Sequence, residues 1–336
     1  MASTHRIVPI RRILVAIRDV NRQPPRHQLR KAATLARSLH ASVELFHAIT
    51  EPIVPHLMHR KGGFRDVFAT ARETVEERVQ SRLDRLARSP EFRGIRVHSA
   101  FSWDYPAHEA VVRRALAMRA DLVIAGTHER SFGARLLLTN TDWELVRQCP
   151  CPLLLVKSTR DYSKPAVIAA IDPFHAHAKP ARLDDRIIDI AATFAKRLGG
   201  TLHLFHAYMP LTIVAPGPAG QPLALAPSAE LEDMHTESVA NVFDTFAEKA
   251  GVPPSRRHLH MGEVTSELES VVKRTKAGIV VMGAVSRSRL RRIFIGNTAE
   301  AALDRLSCDL LVVKPRRFVT EVPKRTRAAL MARATT

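Results

Sequence analysis

A displacement of 157 residues lays this chain on itself, and no other feature restricts its fold as severely. Gly126 falls on Gly283, Asn140-Thr141 on Asn297-Thr298, Cys151 on Cys308 and Val156-Lys157 on Val313-Lys314. Between 126–157 and 283–314, eleven of 32 positions are identical. With a slightly different displacement, Leu45-Phe46-His47-Ala48 matches Leu204-Phe205-His206-Ala207, and residues 13–17 answer 167–171. A period of about 150 residues is domain-sized and too long for a solenoid unit, so the chain reads as two copies of one domain. The boundaries drawn are 8–160 for the first copy, 161–316 for the second and 317–336 for a basic tail expected to be mobile.

Each copy alternates short apolar runs with amphipathic stretches. In the first, strands are expected at 13–17, 43–49, 96–101, 122–125 and 153–157, and helices at 28–39, 73–86, 108–118 and 142–148. Leu29, Ala32, Ala33, Ala36 and Leu39 share one side of a helix, as do Ile187, Ile190, Ala191, Phe194 and Leu198 in the second copy. Alternating strands and helices build an α/β domain, a five-stranded parallel sheet with helices on both faces. Ligands of such sheets sit at the carboxyl ends of the strands where the winding reverses. That places Asp172, His206-Ala207 and Gly283 around one crevice. The connections 51–65 and 208–227 read as long loops, the second unusually apolar.

Residues 280–300, VVMGAVSRSRLRRIFIGNTAE, carry the ligand signal. A buried apolar run ends at Gly283, an arginine-laden loop follows, and Gly296-Asn297-Thr298 opens a helical pattern. Glycine at a strand end admits close approach, and a helix start presents free N–H groups to an anion. Neither G-x-x-x-x-G-K-[ST] nor G-x-G-x-x-G is present. Asn297 to Glu300 also reads as a capping box, and Arg287, Arg289, Arg291 and Arg292 suit either phosphate or solvent.

The loop resembles that of the universal stress protein family, whose pattern is Gly, two residues, Gly, nine residues, Gly, then a small polar residue. Gly283, Gly296 and Asn297 match, while Ser286 stands at the second glycine's place. IGNTAE continuing to CDLLVVKP, and LTNTDWELVRQCPCP in the first copy, resemble the long tandem bacterial type over roughly residues 10–316. The resemblance implies two Rossmann-like, adenine nucleotide alpha hydrolase-like domains packed as an intramolecular pseudo-dimer, with a further homodimer open. It implies a stress-response role in survival of starvation, oxidation or DNA damage. It also implies ATP or a related nucleotide in the second copy, held by Asp172, Met282, Gly283, Ser286, Gly296, Asn297 and Thr298. The first copy departs from the pattern, with Arg18, Glu129 and Thr139 at the corresponding places, and is expected to be degenerate as a site.

Charge leaves alternatives open. Lys and Arg number 51 against 33 Asp and Glu, a net +18, which suits nucleic acid or phosphorylated ligands as partners. A carrier of an apolar or lipid-like ligand beneath 208–227 is the other alternative. No run approaches a membrane span, residues 1–12 lack the apolar core of a signal peptide, and three cysteines fit a reducing, cytoplasmic setting. Cys151 and Cys308 read as small core hydrophobes, and histidines 203, 206, 258 and 260 lack a recognised metal spacing. No catalytic triad or H-E-x-x-H occurs, so at most a weak ATPase is expected rather than an efficient enzyme.

Overall fold

The structure, a computed structural model, describes residues 6–22, 24, 26–50, 64–127, 140–174, 182–216, 221–284 and 305–326. Two compact units form. The first comprises Pro9–Ser163 with Asp309–Thr336, the second Lys164–Cys308 with Met1–Val8.

The first unit runs β1 (Arg12–Ala16), α1 (Arg26–Leu39), β2 (Ser42–Ile49), α2 (Phe64–Ala87), β3 (Val97–Trp103), α3 (Ala107–Ala117), β4 (Leu122–Gly126), α4 (Asn140–Gln148) and β5 (Leu153–Val156). The strands lie in the order β3-β2-β1-β4-β5, all parallel. Ile13, Leu14 and Val15, Leu122 to Ile124, and Leu153 to Val156 are buried throughout. Unbroken apolar strands of this kind require cover on both faces. Right-handed crossovers put α1 and α2 on one face and α3 and α4 on the other. The winding reverses between β1 and β4, which sets the crevice there.

The second unit contains β6 (Ala166–Ala170), α5 (Leu183–Arg197), β7 (Thr201–Tyr208), β8 (Ile213–Pro216), β9 (Pro222–Leu225), α6 (Ala229–Lys249), β10 (Arg257–Met261), α7 (Val264–Thr275) and β11 (Ile279–Gly283). The order β10-β7-β6-β11, again parallel, repeats the first four strand positions of the first unit. Helix α5 buries Ile187, Ile188, Ile190, Ala191 and Phe194, the stripe that the sequence spacing marks.

Two elements differ from the sequence reading. Helix α2 begins at Phe64 rather than at residue 73; residues 69–74 are exposed, and an exposed stretch carries no continuous apolar stripe to mark it as helix. The connection 208–227 is not a plain loop: β8 and β9 pair as an antiparallel hairpin, with Ile213 opposite Leu225. Residues 51–63 of the other long connection lie outside the described residues.

The chain ends are exchanged between the units. β12 (Asp309–Val313), the last strand of the second repeat, belongs to the first unit and runs antiparallel beside β5, Leu310 opposite Leu155 and Val312 opposite Leu153. In the other direction, Val8 N donates to Thr193 Oγ1 of α5 at 3.0 Å. The basic segment expected to be mobile is anchored over its described part. Thr320 Oγ1 and Glu321 N donate to Gln148 Oε1 at 2.9 and 3.0 Å, and Arg113 Nη1 donates to Pro323 O at 3.1 Å. Residues 327–336 lie outside the described residues.

Asp309 fixes β12 in place. Its Oδ1 accepts from Lys157 N at 2.9 Å and Ser158 N at 2.8 Å, and its Oδ2 accepts from Lys31 Nζ at 2.6 Å and from the Tyr162 hydroxyl. Side-chain exposure is 1% for Lys31 and 0% for Asp309. A buried charge stripped of its partner is costly, whereas an exposed pair contributes little. Lys31→Met should therefore lower the unfolding free energy by about 3–5 kcal/mol. Arg30→Met, which breaks the exposed Arg30–Asp161 pair at 3.1 Å, should change it by less than about 1 kcal/mol. Chemical denaturation distinguishes them, and equal midpoints for the two variants would contradict the assignment.

Candidate functional site

The carboxyl ends of β11, β6 and β7 meet in the second unit. Met282 pairs with Ala170, and Ala170 with Phe205, so Met282 and Gly283, Asp172, and His206 with Ala207 are brought to one edge. Asp172 is half-buried, and its N–H donates to Asp184 Oδ1 in the first turn of α5 at 3.1 Å. His206 Nδ1 lies 3.1 Å from Ile171 O. A carbonyl only accepts, so this nitrogen carries the proton, which fixes the neutral tautomer. The Phe174 ring, 40% exposed, tilts against His206 with centroids 5.5 Å apart, and Phe243 of α6 lies on the same imidazole at 6.4 Å. Of the residues singled out from sequence, Asp172, Met282 and Gly283 converge here. Ser286, Gly296, Asn297 and Thr298 lie outside the described residues, as do Glu129 and Thr139. Phe174 and Asp184 escaped the sequence reading, although paired acids at a helix start are a legible signal for the second.

Gly283 has a nearer reason to be glycine than ligand approach. A Cβ at that position would stand 2.8 Å from Leu183 Cδ2 and 3.2 Å from Ile187 Cδ1. The missing side chain is the seat of α5 on the sheet. At Gly126 the corresponding Cβ would meet Gln28 Oε1 of α1 at 2.7 Å. Each repeat therefore uses this glycine to admit the first helix.

At the matching edge of the first unit the strand-end side chain is paired. Arg18 stands where the second repeat has Asp172, and its Nη2 donates to Asp142 Oδ1 at 2.7 Å. Asp142 is fully buried in the first turn of α4, where a carboxylate complements the positive end of the helix. His47 Nδ1 lies 2.8 Å from Ile17 O, the counterpart of His206 and Ile171. Backbone and histidine are thus repeated, and the charge at the strand end is reversed.

The family model described as "Universal stress protein family" matches residues 9–157 and 181–314, one match to each repeat. The chain belongs to the universal stress protein family. It is a tandem-domain member, similar to Universal stress protein E of Photorhabdus laumondii, with 28% identity over 229 residues covering 67% of this chain and 71% of the relative. Universal stress protein E of Escherichia coli K12 is 27% identical over 237 residues, covering 68% and 72%. Among solved structures, protein PA1789 of Pseudomonas aeruginosa superposes with a TM-score of 0.66 at 24% identity, covering 91% of this chain and 93% of its own. A universal stress protein from Archaeoglobus fulgidus gives 0.59 at 14% identity, covering 90% and 98%. These likenesses establish the fold.

The cysteines and the remaining histidines of this universal stress protein resolve into packing. All three cysteines are buried thiols outside any disulfide, with Cys149 and Cys151 Sγ 4.0 Å apart. The Cys151 thiol and the Lys314 charge draw the Cys149 thiol below its ordinary value, while burial pushes the Lys314 ammonium down to about 8. Strand alternation places His206 on one face of β7 and His203 on the other. His203 Nδ1 and His258 Nε2 hydrogen-bond directly at 3.0 Å with stacked rings, and Thr201 Oγ1 lies 3.1 Å from His203 Nε2. His260 Nδ1 meets Glu267 Oε2 at 2.9 Å. No helix among the described residues is long and apolar enough to cross a membrane.

Two outcomes follow from these contacts. Gly283→Ala should cost about 1–3 kcal/mol through overpacking, with the loss reduced in a Leu183→Ala background. A double-mutant cycle measured by denaturation checks this, and additive losses would argue against the Leu183 contact. Burial, then the charges of His203, Arg274 and His260, lower the His258 pKa to about 4. The unfolded chain thus binds a proton at higher pH than the folded one, so this contribution is complete above pH ~6.5 and is lost as pH falls towards ~4. Unfolding free energy should fall by about 1–2 kcal/mol over that window through this pair. In His258→Gln the slope should flatten; an unchanged slope would remove the pair as its source.

Proposed function

We propose that the second unit binds ATP or a related nucleotide, and that the chain serves stress survival as a ligand-gated binding protein rather than as a catalyst. The observation that carries this reading is the reversal at the end of the first strand. In the first repeat the Arg18–Asp142 pair spans from that strand end to α4. In the second, Asp172 stands half-buried beside the exposed ring of Phe174 and the oriented imidazole of His206. A carboxylate accepts hydrogen bonds from sugar hydroxyls, and flat rings beside it offer a stacking surface to a base. Phosphates would then extend toward the loop of Ser286 and the helix start at Gly296, Asn297 and Thr298. Family membership supports the stress role.

A substitution at Gly283 cannot test the site, because any side chain there meets Leu183 whether or not nucleotide binds. Asp172→Ala avoids that contact. In calorimetry with ATP, wild type and Arg18→Ala should give matching heats, while Asp172→Ala should bind about tenfold more weakly, a loss of about 1.4 kcal/mol. Equal binding by Asp172→Ala, or a loss confined to Arg18→Ala, would overturn the assignment to the second unit.

A further inference from the structure

The first unit carries a cavity of about 670 Å3 whose lining does not include Arg18, Gly126 or Asp142. Its walls come from the turn after β1, the start of α1, the later turns of α2 and the residues that follow α2. We propose that this cavity binds a small phosphate ester with an apolar or aromatic body, independently of the nucleotide reading for the second unit.

The argument begins with charge. Arg22, Arg26, Arg82 and Arg85 line the cavity, against a single lining carboxylate, Glu91. Among the described residues, only Arg22 of these four has an acid within ion-pair distance, Asp19 at 3.9 Å. Two other arginines of the unit, Arg113 and Arg114, are matched by acids. Arg114 grips Glu44 at 2.6 and 2.7 Å, and Arg113 grips Asp104 at 2.7 Å through both Nε and Nη2. Guanidinium groups gathered without acids repel one another, and a dianion among them relieves that repulsion. Their planar forks suit phosphate oxygens bidentately.

Pre-organisation and shape supply the second argument. Arg82 Nη1 donates to Val20 O at 3.1 Å and to Asn21 Oδ1, which holds its side chain over the turn after β1. Nε and Nη2 of Arg82 make no hydrogen bond among the described residues. The Ser89 hydroxyl, also in the lining, is buried with no hydrogen-bond partner among them. Leu29 and Val20, 4% and 7% exposed, form an apolar floor together with Leu86. A volume within the usual 300–1,000 Å3 range, an apolar floor and a few convergent polar groups define a small-molecule pocket. An inorganic ion would leave that floor uncovered, and a duplex or membrane surface would not enter it.

Phenyl phosphate is the probe, titrated into the full-length protein and followed by calorimetry and by the arginine Nε–Hε resonances. It should saturate and perturb Arg82 and Arg85, binding about tenfold more tightly than either inorganic phosphate or phenol. Arg26→Gln/Arg85→Gln, which changes two exposed side chains, should weaken it about tenfold while leaving the thermal midpoint of the free protein unlowered. Asp172→Ala should bind the probe as wild type does, so failure here is separable from failure of the nucleotide site. The proposal is overturned by unaltered binding in the double arginine variant, by inorganic phosphate or phenol binding as tightly as the ester, or by benzoate doing so.

Discussion

The buried carboxylate of Asp309 is the constraint on which the first unit depends. An ionised group removed from water needs its lone pairs met, and four donors converge on this one. Two are main-chain N–H groups at the end of β5, one is a lysine of α1, and one is a tyrosine of the segment leaving the first repeat. The sheet edge, a covering helix and the inter-repeat connection are thus tied to the first residue of a strand that the second repeat contributes. At the 157-residue displacement the counterpart of Asp309 is Pro152, whose carbonyl instead accepts from Val123 N at 2.9 Å. The interaction has no symmetric twin, which gives the repeat pair a direction.

That directionality recurs at the strand ends. Both repeats keep a glycine that seats the first helix and a histidine bound to the carbonyl closing the first strand. Packing needs both features, so they survive in both copies whatever either copy binds. What differs is the second residue beyond the strand: a guanidinium paired with Asp142 in one unit and the Asp172 carboxylate in the other. A single position therefore separates a strand end carrying the Arg18–Asp142 ion pair from one carrying a half-buried carboxylate two residues before an exposed aromatic ring.

Most of the strand and helix pattern was legible because parallel strands covered on both faces must be apolar without interruption. Residues 122–125 and 153–157 announce themselves for that reason, as does the Ile187 to Phe194 stripe of α5. Helix α2 was under-read, since residues 69–74 face solvent and need no stripe. The hairpin of β8 and β9 was missed because Pro216 and Pro222 bracket it, and proline argues against strand in a sequence. Of the site, the convergence of Asp172, Met282 and Gly283 followed from topology alone. The role of Gly283 did not, because the clash that excludes a Cβ comes from Leu183, a hundred residues away in the chain. The arginine cavity was equally invisible, being assembled from residues 20–29 and 82–91 only when α1 and α2 lie side by side.

By itself the sequence determined the duplication, the α/β class and the family. Each of these depends on local periodicity or on residues at fixed separations, which a linear string records faithfully. Only the tertiary structure decided which repeat's carboxylate is buried by which helix, where the chain ends are exchanged, and that Gly283 stands against Leu183 of α5. Those outcomes turn on contacts between segments far apart in the chain, whose energies depend on burial, and burial exists only once the chain has folded.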